Sequence, residues 1–364
     1  MPPADLSSTV LHAVRRAVDE DALHAPVPAR VRVERTRPGG RGDYASAVAL
    51  QLAGPAALPA REVAEILRAR MAGLAGIGRV EITGPGFLNF TLDAATDAAA
   101  HSALIHQVLA RGPRYGHSED LAGIPLRFSH AREVRAAVTA DAVRRLARAQ
   151  GAPVRISREG ACDPDWARLG IAVDAHGRPP APPAEVPTEI RPVAAGATAG
   201  ELLARLGPDA TRWGLLRPAG HDRAPLGGEL LVQGEGNPLF LVRYAHSRAR
   251  ALSRGAELLG FTGDPGQDAG EVPGPEALAL LAVIADHPAV LAAAAHHRAP
   301  DRLARHLEVV AHAFFDFHDS ASPLPVGDEK PSAAHRTRLA LAEAAGTVLA
   351  GGLSLLGVSA PPYL

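Results

Sequence analysis

Asn237-Pro238-Leu239-Phe240-Leu241-Val242-Arg243-Tyr244-Ala245-His246 opens a long helical run. The helical spacing predicts one helix from Pro238 to Leu259, and further helices over Pro275 to His287, Ala289 to His297, Asp301 to His318 and Ala333 to Leu356. Leu303, Leu307, Val310, Ala311, Phe314 and His318 fall on one stripe, and Leu339, Ala342, Leu349, Leu353 and Leu356 on another. Such stripes belong to helices that bury one face in a bundle. Arg243, Arg248, Arg250 and Arg254 lie within about three turns of the first helix, and Arg302 and Arg305 on a later one. A row of this kind either tracks phosphates or forms a solvated face. Tyr244 and His246 read first as packing or anchoring residues, because a tyrosine at helical spacing usually buries its ring.

Working back from that run, the stretch from about 116 to 226 has a different texture. Pro125 to Phe128 reads as a strand, Glu133 to Ala149 as a helix with Val134, Ala137, Val138, Val143 and Leu146 inward, and Val154 to Ser157 as a second strand, together one βαβ unit. Gly177 to Pro187 has no periodicity and reads as a loop, after which Glu201 to Leu206 and Asp209 to Leu216 resume as short helices. Residues 1 to about 115 alternate the two signals. Helices are expected over Leu6 to Leu23 and Pro59 to Leu74, a half-buried strand over Arg30 to Thr36, and strands at Val80 to Ile82 and Phe87 to Leu92 joined by Gly84-Pro85-Gly86. That is an α+β module. No internal repeat is visible.

Composition narrows the functional classes. The 364 residues carry a formal charge of −1, so any nucleic-acid contact has to come from local arginine clusters rather than a global basic field. Cys162 is the single cysteine, which excludes an internal disulfide framework and suits a reducing compartment. Met1-Pro2-Pro3-Ala4-Asp5 has no basic segment leading into an apolar one, and the best apolar run, Ala277 to Ala285, is about half a membrane span. The expectation is a cytoplasmic protein with no membrane partner. No histidine spacing makes a metal site, and no nucleophile elbow supports Ser/His/Asp catalysis. Lys330 is the sole lysine.

Motifs at both ends carry a resemblance. Gly42-Asp43-Tyr44 and Gly84-Pro85-Gly86-Phe87-Leu88-Asn89-Phe90 stand near the start; the ten-residue run at 237 is followed by Arg302-Leu303-Ala304-Arg305 and Gly352-Leu353-Ser354-Leu355-Leu356-Gly357-Val358. In this order they resemble the arginine-tRNA ligase family. The resemblance implies an amino-terminal module that touches the tRNA elbow, with Phe87 and Asn89 on a D-loop nucleotide, and a DALR-type anticodon-binding bundle at the carboxy terminus. There it implies tRNA contacts for Arg243, Tyr244, Arg248, Arg302 and Arg305. Phe87 and Asn89 sit two apart on a strand and so share a face; by residue type alone the phenylalanine would be core. The family's usual Asn after Gly-Asp-Tyr-Ala-x is Ala47 here.

The middle departs from the family. The His-x-Gly-His motif of class I synthetases falls on His130-Ala131-Arg132-Glu133, with the following helix aligned on Arg135 to Asp141. One histidine survives, the glycine has become bulky, and a carboxylate stands where the second imidazole would face triphosphate. The lysine-bearing second motif is replaced by Ile190-Arg191-Pro192-Val193, and guanidinium is not a substitute for a compact ammonium. About 100 residues cannot hold a doubly wound fold with its insertions. The expected architecture is therefore an α+β module (1–115), a shrunken Rossmann-like remnant (116–226) retaining His130, Arg135 and Asp141 but no catalytic set, and an all-α bundle (227–364). The expected function is tRNA binding, with arginine tRNA the first candidate, without catalysis and without cofactor, beside a full-length ligase or a tRNA-dependent enzyme, and without DNA. An active ligase that uses ATP, and an interaction module that has lost RNA, are the alternatives.

Overall fold

The computed structural model describes residues 3–36, 41–74, 76–92, 94–158, 163–172, 174–176, 187–266 and 273–364, the side chains of 3–5, 35, 94–97, 158, 175 and 176 excepted. Cys162 and nearly all of the loop expected from Gly177 to Pro187 lie outside the described residues. The chain forms two compact units, Met1–Ala103 and Leu104–Leu364. The stretches 116–226 and 227–364 lie within the second.

The first unit contains α1 (Pro3–Asp19), β1 (Glu34–Arg35), β2 (Tyr44–Ser46), α2 (Val48–Ala56), α3 (Ala60–Met71), β3 (Ile77–Thr83) and β4 (Phe87–Leu92). The strands make an antiparallel sheet in the order β1-β2-β4-β3. Leu6, Val10 and Val14 of α1, Val63, Leu67 and Met71 of α3, and Leu88 and Phe90 of β4 build its core. The strand expected over Arg30 to Thr36 pairs only at Glu34–Arg35, although Val31 and Val33 are buried as its alternation required. Helix α2 is not among the expected helices; Pro55 lies in its last turn.

The second unit begins within α4 (Ala94–Arg111) and contains β5 (Leu126–His130), α5 (Val134–Ala149), β6 (Val154–Arg158), β7 (Ala175–His176) and β8 (Thr188–Ile190). All four strands are parallel, in the order β7-β6-β5-β8. The βαβ unit is where the spacing put it; β7 and β8 are too short to show a period. Because β8 joins the far side of β5, the strand order reverses between them, the place where open α/β sheets form a ligand crevice. Phe128, Val154, Ile156 and Ile190 pack on Ala140, Val143 and Ala147 of α5. On the opposite sheet face Arg127 and Arg155 are exposed and Ser129 and Ser157 half-buried. A parallel sheet covered on both sides is apolar on both; among the described residues this one is covered on one.

Helices α6 (Ala199–Leu216), α7 (Pro238–Leu258), α8 (Pro275–His297), α9 (Pro300–Ser320) and α10 (Ala333–Leu356) complete the unit. Val134, Val138 and Leu146 of α5 share one apolar core with Trp213, Leu239, Leu280, Leu307 and Leu349. Helix α6 breaks at Gly207 (φ 72°, ψ 175°), which accounts for the two short helices in the sequence. The split expected near Pro288 does not occur: α8 is continuous through it. Pro288 has no N–H for the carbonyl of Ile284 four residues earlier, and the hydroxyl of Tyr115 donates to that oxygen instead, at 3.4 Å. The half-span estimate for this region is also corrected, since α8 and α10 are each long and apolar enough by composition to cross a membrane. Both contribute side chains to the apolar core, Leu280, Ile284 and Leu291 from α8 and Leu339, Leu349 and Leu353 from α10.

Candidate nucleotide site and nucleic-acid interface

At the carboxyl ends of β5 and β8 the side chains of Glu133 and His130 are engaged by the chain itself. Glu133 is the N-cap of α5 and its carboxylate accepts from the backbone N–H of Ala136 at 2.9 Å. Its other oxygen accepts from the N–H of Ala195, just beyond β8, also at 2.9 Å. A helix N-terminus at a switch point is a ready anion seat, and here one carboxylate joins its two sides. His130 ends β5 with its ring buried 5.5 Å from that of Trp166 and its Nδ1 2.9 Å from the Ala131 carbonyl.

Arg135 and Asp141 are structural. Arg135, 1% exposed, donates to the carbonyls of Val193, Leu215, Pro218, Ala219 and Asp222 at 2.6–3.2 Å. It sews the segment after β8 and the segment after α6 onto α5, and burial pushes its pKa down from the usual arginine value. Asp141, fully buried, accepts from Arg212 at 2.8 Å and Arg145 at 3.0 Å, and from Arg144. Arg212 also donates to the carbonyls of Leu169 at 2.6 Å and Leu356 at 2.8 Å, and burial lowers its pKa in turn. Gly357, at φ 71°, lies against that guanidinium, and a Cβ there would stand 2.5 Å from it. Sequence reasoning missed this hub, because Arg212 lies 71 residues from Asp141.

In the first unit the signature residues are mostly scaffold. Gly42, at φ 73°, leaves no room for a Cβ beside the carbonyl of Phe90. Asp43 donates its N–H to that same oxygen at 2.7 Å and accepts from the Leu92 N–H at 2.9 Å, locking β2 to β4; Tyr44 is buried in the core. Ala47 is the N-cap of α2 and offers no side-chain hydrogen bond. Phe87 and Asn89 share the sheet face opposite Leu88 and Phe90, but differently: the Phe87 ring is 39% exposed, whereas Asn89 is 6% exposed and its amide donates to Thr83 Oγ1 at 2.7 Å.

On the bundle, Asn237 caps α7 by accepting from the Leu239 N–H and donating to the carbonyls of Leu230 and Val232. His246 is buried with Nδ1 3.1 Å from the Gly346 carbonyl, tying α7 to α10, and burial lowers its pKa. Tyr244 does not bury: it is 42% exposed and stacks between Phe240 and Phe315, each 5.4 Å away. Arg248, one turn on from Tyr244, donates to His318 at 3.2 Å. Arg302 is exposed, and Arg305 pairs with Asp301 at 3.2 Å. The arginine row therefore divides. Arg243 reaches Ser359 at 3.3 Å and Asp209 at 3.6 Å, and Arg254 lies over Tyr363 and donates to the Pro362 carbonyl, so these two hold the carboxy-terminal tail. Among the described residues no group of three or more His, Cys, Asp or Glu could hold a metal ion.

In the sequence the two end modules stand on either side of the parallel sheet. Residues 5–92 match the arginyl-tRNA synthetase N-terminal domain family, and residues 242–364 the DALR anticodon binding domain family. Arginine–tRNA ligases of Frankia alni and Renibacterium salmoninarum are 29% and 27% identical, each over 99% of this chain and 100% of the relative. The Thermus thermophilus arginyl-tRNA synthetase structure superposes with a TM-score of 0.69 at 15% identity, covering 100% of both chains, and that of Plasmodium falciparum with 0.69 at 8%, covering 100% of this chain and 99% of the other. The chain belongs to the arginyl-tRNA synthetase family. Its alignments with the two ligases run over 554 positions, at least 190 more than its own 364 residues.

Proposed function

We propose that this chain holds tRNA through its two end modules and does not form the aminoacyl adenylate. The observation that carries the reading is Glu133, whose carboxylate takes the N–H groups of Ala136 and Ala195 at the switch point. A triphosphate entering there would meet a fixed negative charge in place of free donors. Arg135, Asp141 and Arg212 support the reading, since all three are spent on holding α5, α6 and the end of α10 together. Lys330, the sole lysine, is exposed in the segment between α9 and α10. Tyr244, flanked by Phe240 and Phe315, supplies a half-exposed ring for base stacking, and Phe87 a second in the first unit.

A working ligase is the competing reading, favoured by relatives named arginine–tRNA ligase that align with 99% of the chain. Two measurements on the full chain separate the readings. Filter retention of tRNA across a salt series is expected to show binding with a negative salt slope. Arginine-dependent exchange of pyrophosphate into ATP, with tRNA present, is expected to stay at the level of a mock preparation. Exchange above it makes the chain a ligase; absence of retention makes it a module without RNA.

A further inference from the structure

The outer face of the central sheet carries charge that nothing among the described residues balances. In the parallel pairing of β5 with β6, Arg127 stands beside Arg155 and, next along the same face, Ser129 beside Ser157. Both arginines are exposed, and among the described residues neither has a hydrogen-bond or ion-pair partner. Neighbouring strands run about 4.8 Å apart, and like charges directly opposite each other are unfavourable. Glu189, beside Ser129 on β8, brings the one carboxylate of these paired positions, and Arg191 takes it at 2.6 Å. Among the described residues the two guanidiniums therefore remain uncompensated, beside the half-buried Ser129 and Ser157.

We propose that this face binds the phosphates of an RNA strand, a contact surface additional to the two end modules. Guanidinium is a planar donor fork matched to phosphate oxygens, and the hydroxyls of Ser129 and Ser157 continue the donor row along the strands. A protein partner would need an apolar centre to its interface; the paired outer positions with described side chains are Arg127, Arg155, Ser129, Ser157 and Glu189, with no large apolar side chain. The proposal rests on the tRNA-holding reading and extends it.

The test is retention of tRNA and, in parallel, of a uridine homopolymer by the full chain and by the Arg127→Gln/Arg155→Gln double variant over a salt series. The double variant is expected to bind both RNAs several-fold more weakly, with a log–log salt slope flatter by about one to two, and to melt no lower than the parent because a repulsive pair is gone. Unchanged affinity and slope overturn the proposal. Should the double variant fail to fold, Arg127→Gln alone is expected to give about half the slope change, and an unchanged slope there overturns it equally. Homopolymer retention that the double variant loses, without tRNA retention by the parent, keeps this surface and sinks the tRNA reading; retention of neither RNA sinks both. Competition by poly-glutamate as effective as by homopolymer assigns the face to acidic protein and overturns the RNA assignment.

Discussion

The crevice between β5 and β8 and the exposed face of α7 and α9 use their polar and aromatic residues in opposite ways. In the crevice Glu133, and along α5 Arg135 and Asp141, are bonded to the chain itself, over separations of up to 87 residues. On α7 and α9, Tyr244 keeps its edge in solvent between two rings, and Arg302 is exposed. A side chain whose hydrogen-bonding capacity is consumed internally holds structure; one held in place by neighbours but left open is available to a partner.

The contrast is sharpest at Asp141. If it is scaffold, Asp141→Ala leaves three guanidiniums around an empty site and is expected to cost about 3–5 kcal/mol of stability, measured by urea unfolding; a loss under about 1 kcal/mol would free the residue for another role.

A second large effect lies in two buried imidazoles, one on α8 and one on α9. His287 stacks on Tyr115 and sits 5.2 Å from His306. Burial, with the nearby His306 and His117, pushes His287 down to about 3, and burial pushes His306 down to about 4. Both folded values lie below the unfolded one, so the unfolded chain binds more protons as pH falls below about 6.5. Stability contributed above that pH is lost toward pH 4, by up to about 1.4 kcal/mol per unit for each imidazole. Melting temperature followed from pH 7 to 4.5 should fall steeply, and less so in His306→Gln.

On the open face, Tyr244→Ala is expected to weaken tRNA retention by about 1–3 kcal/mol, the worth of one stacked base, with little change in melting. Tyr244→Phe should restore most of it. Equal loss in both would mean that the hydroxyl, not the ring, makes the contact. The smallest expected effect is at Tyr115: Tyr115→Phe leaves the Ile284 carbonyl without its substitute donor, at about 1 kcal/mol. Hydrogen exchange around Pro288 should rise locally, and no change there would show that the proline needs no such support.

What the sequence disclosed followed from periodicity. Helix α10 runs from Ala333 to Leu356, the predicted bounds, because Ser332 caps a strongly striped segment. Strands β5 and β6 alternate apolar and polar residues, Leu126-Arg127-Phe128-Ser129-His130 and Val154-Arg155-Ile156-Ser157, so even the one-sided burial of the sheet was written there. Pro288 misled because the donor that relieves it, Tyr115, lies 169 residues from Ile284. The same distance effect hid the Arg212 hub and the engagement of Arg243 with Ser359, 116 residues away. Local pattern reports faces and ends of elements; which side chain meets which across the fold is not periodic and does not appear in it.

Titration of ATP into the full chain, with arginine and tRNA present, addresses the occupied crevice most directly. With Glu133 seated on the Ala136 and Ala195 amides, no saturable binding is expected. Saturable binding of ATP, abolished by crowding the crevice with Ala195→Trp, would contradict the account.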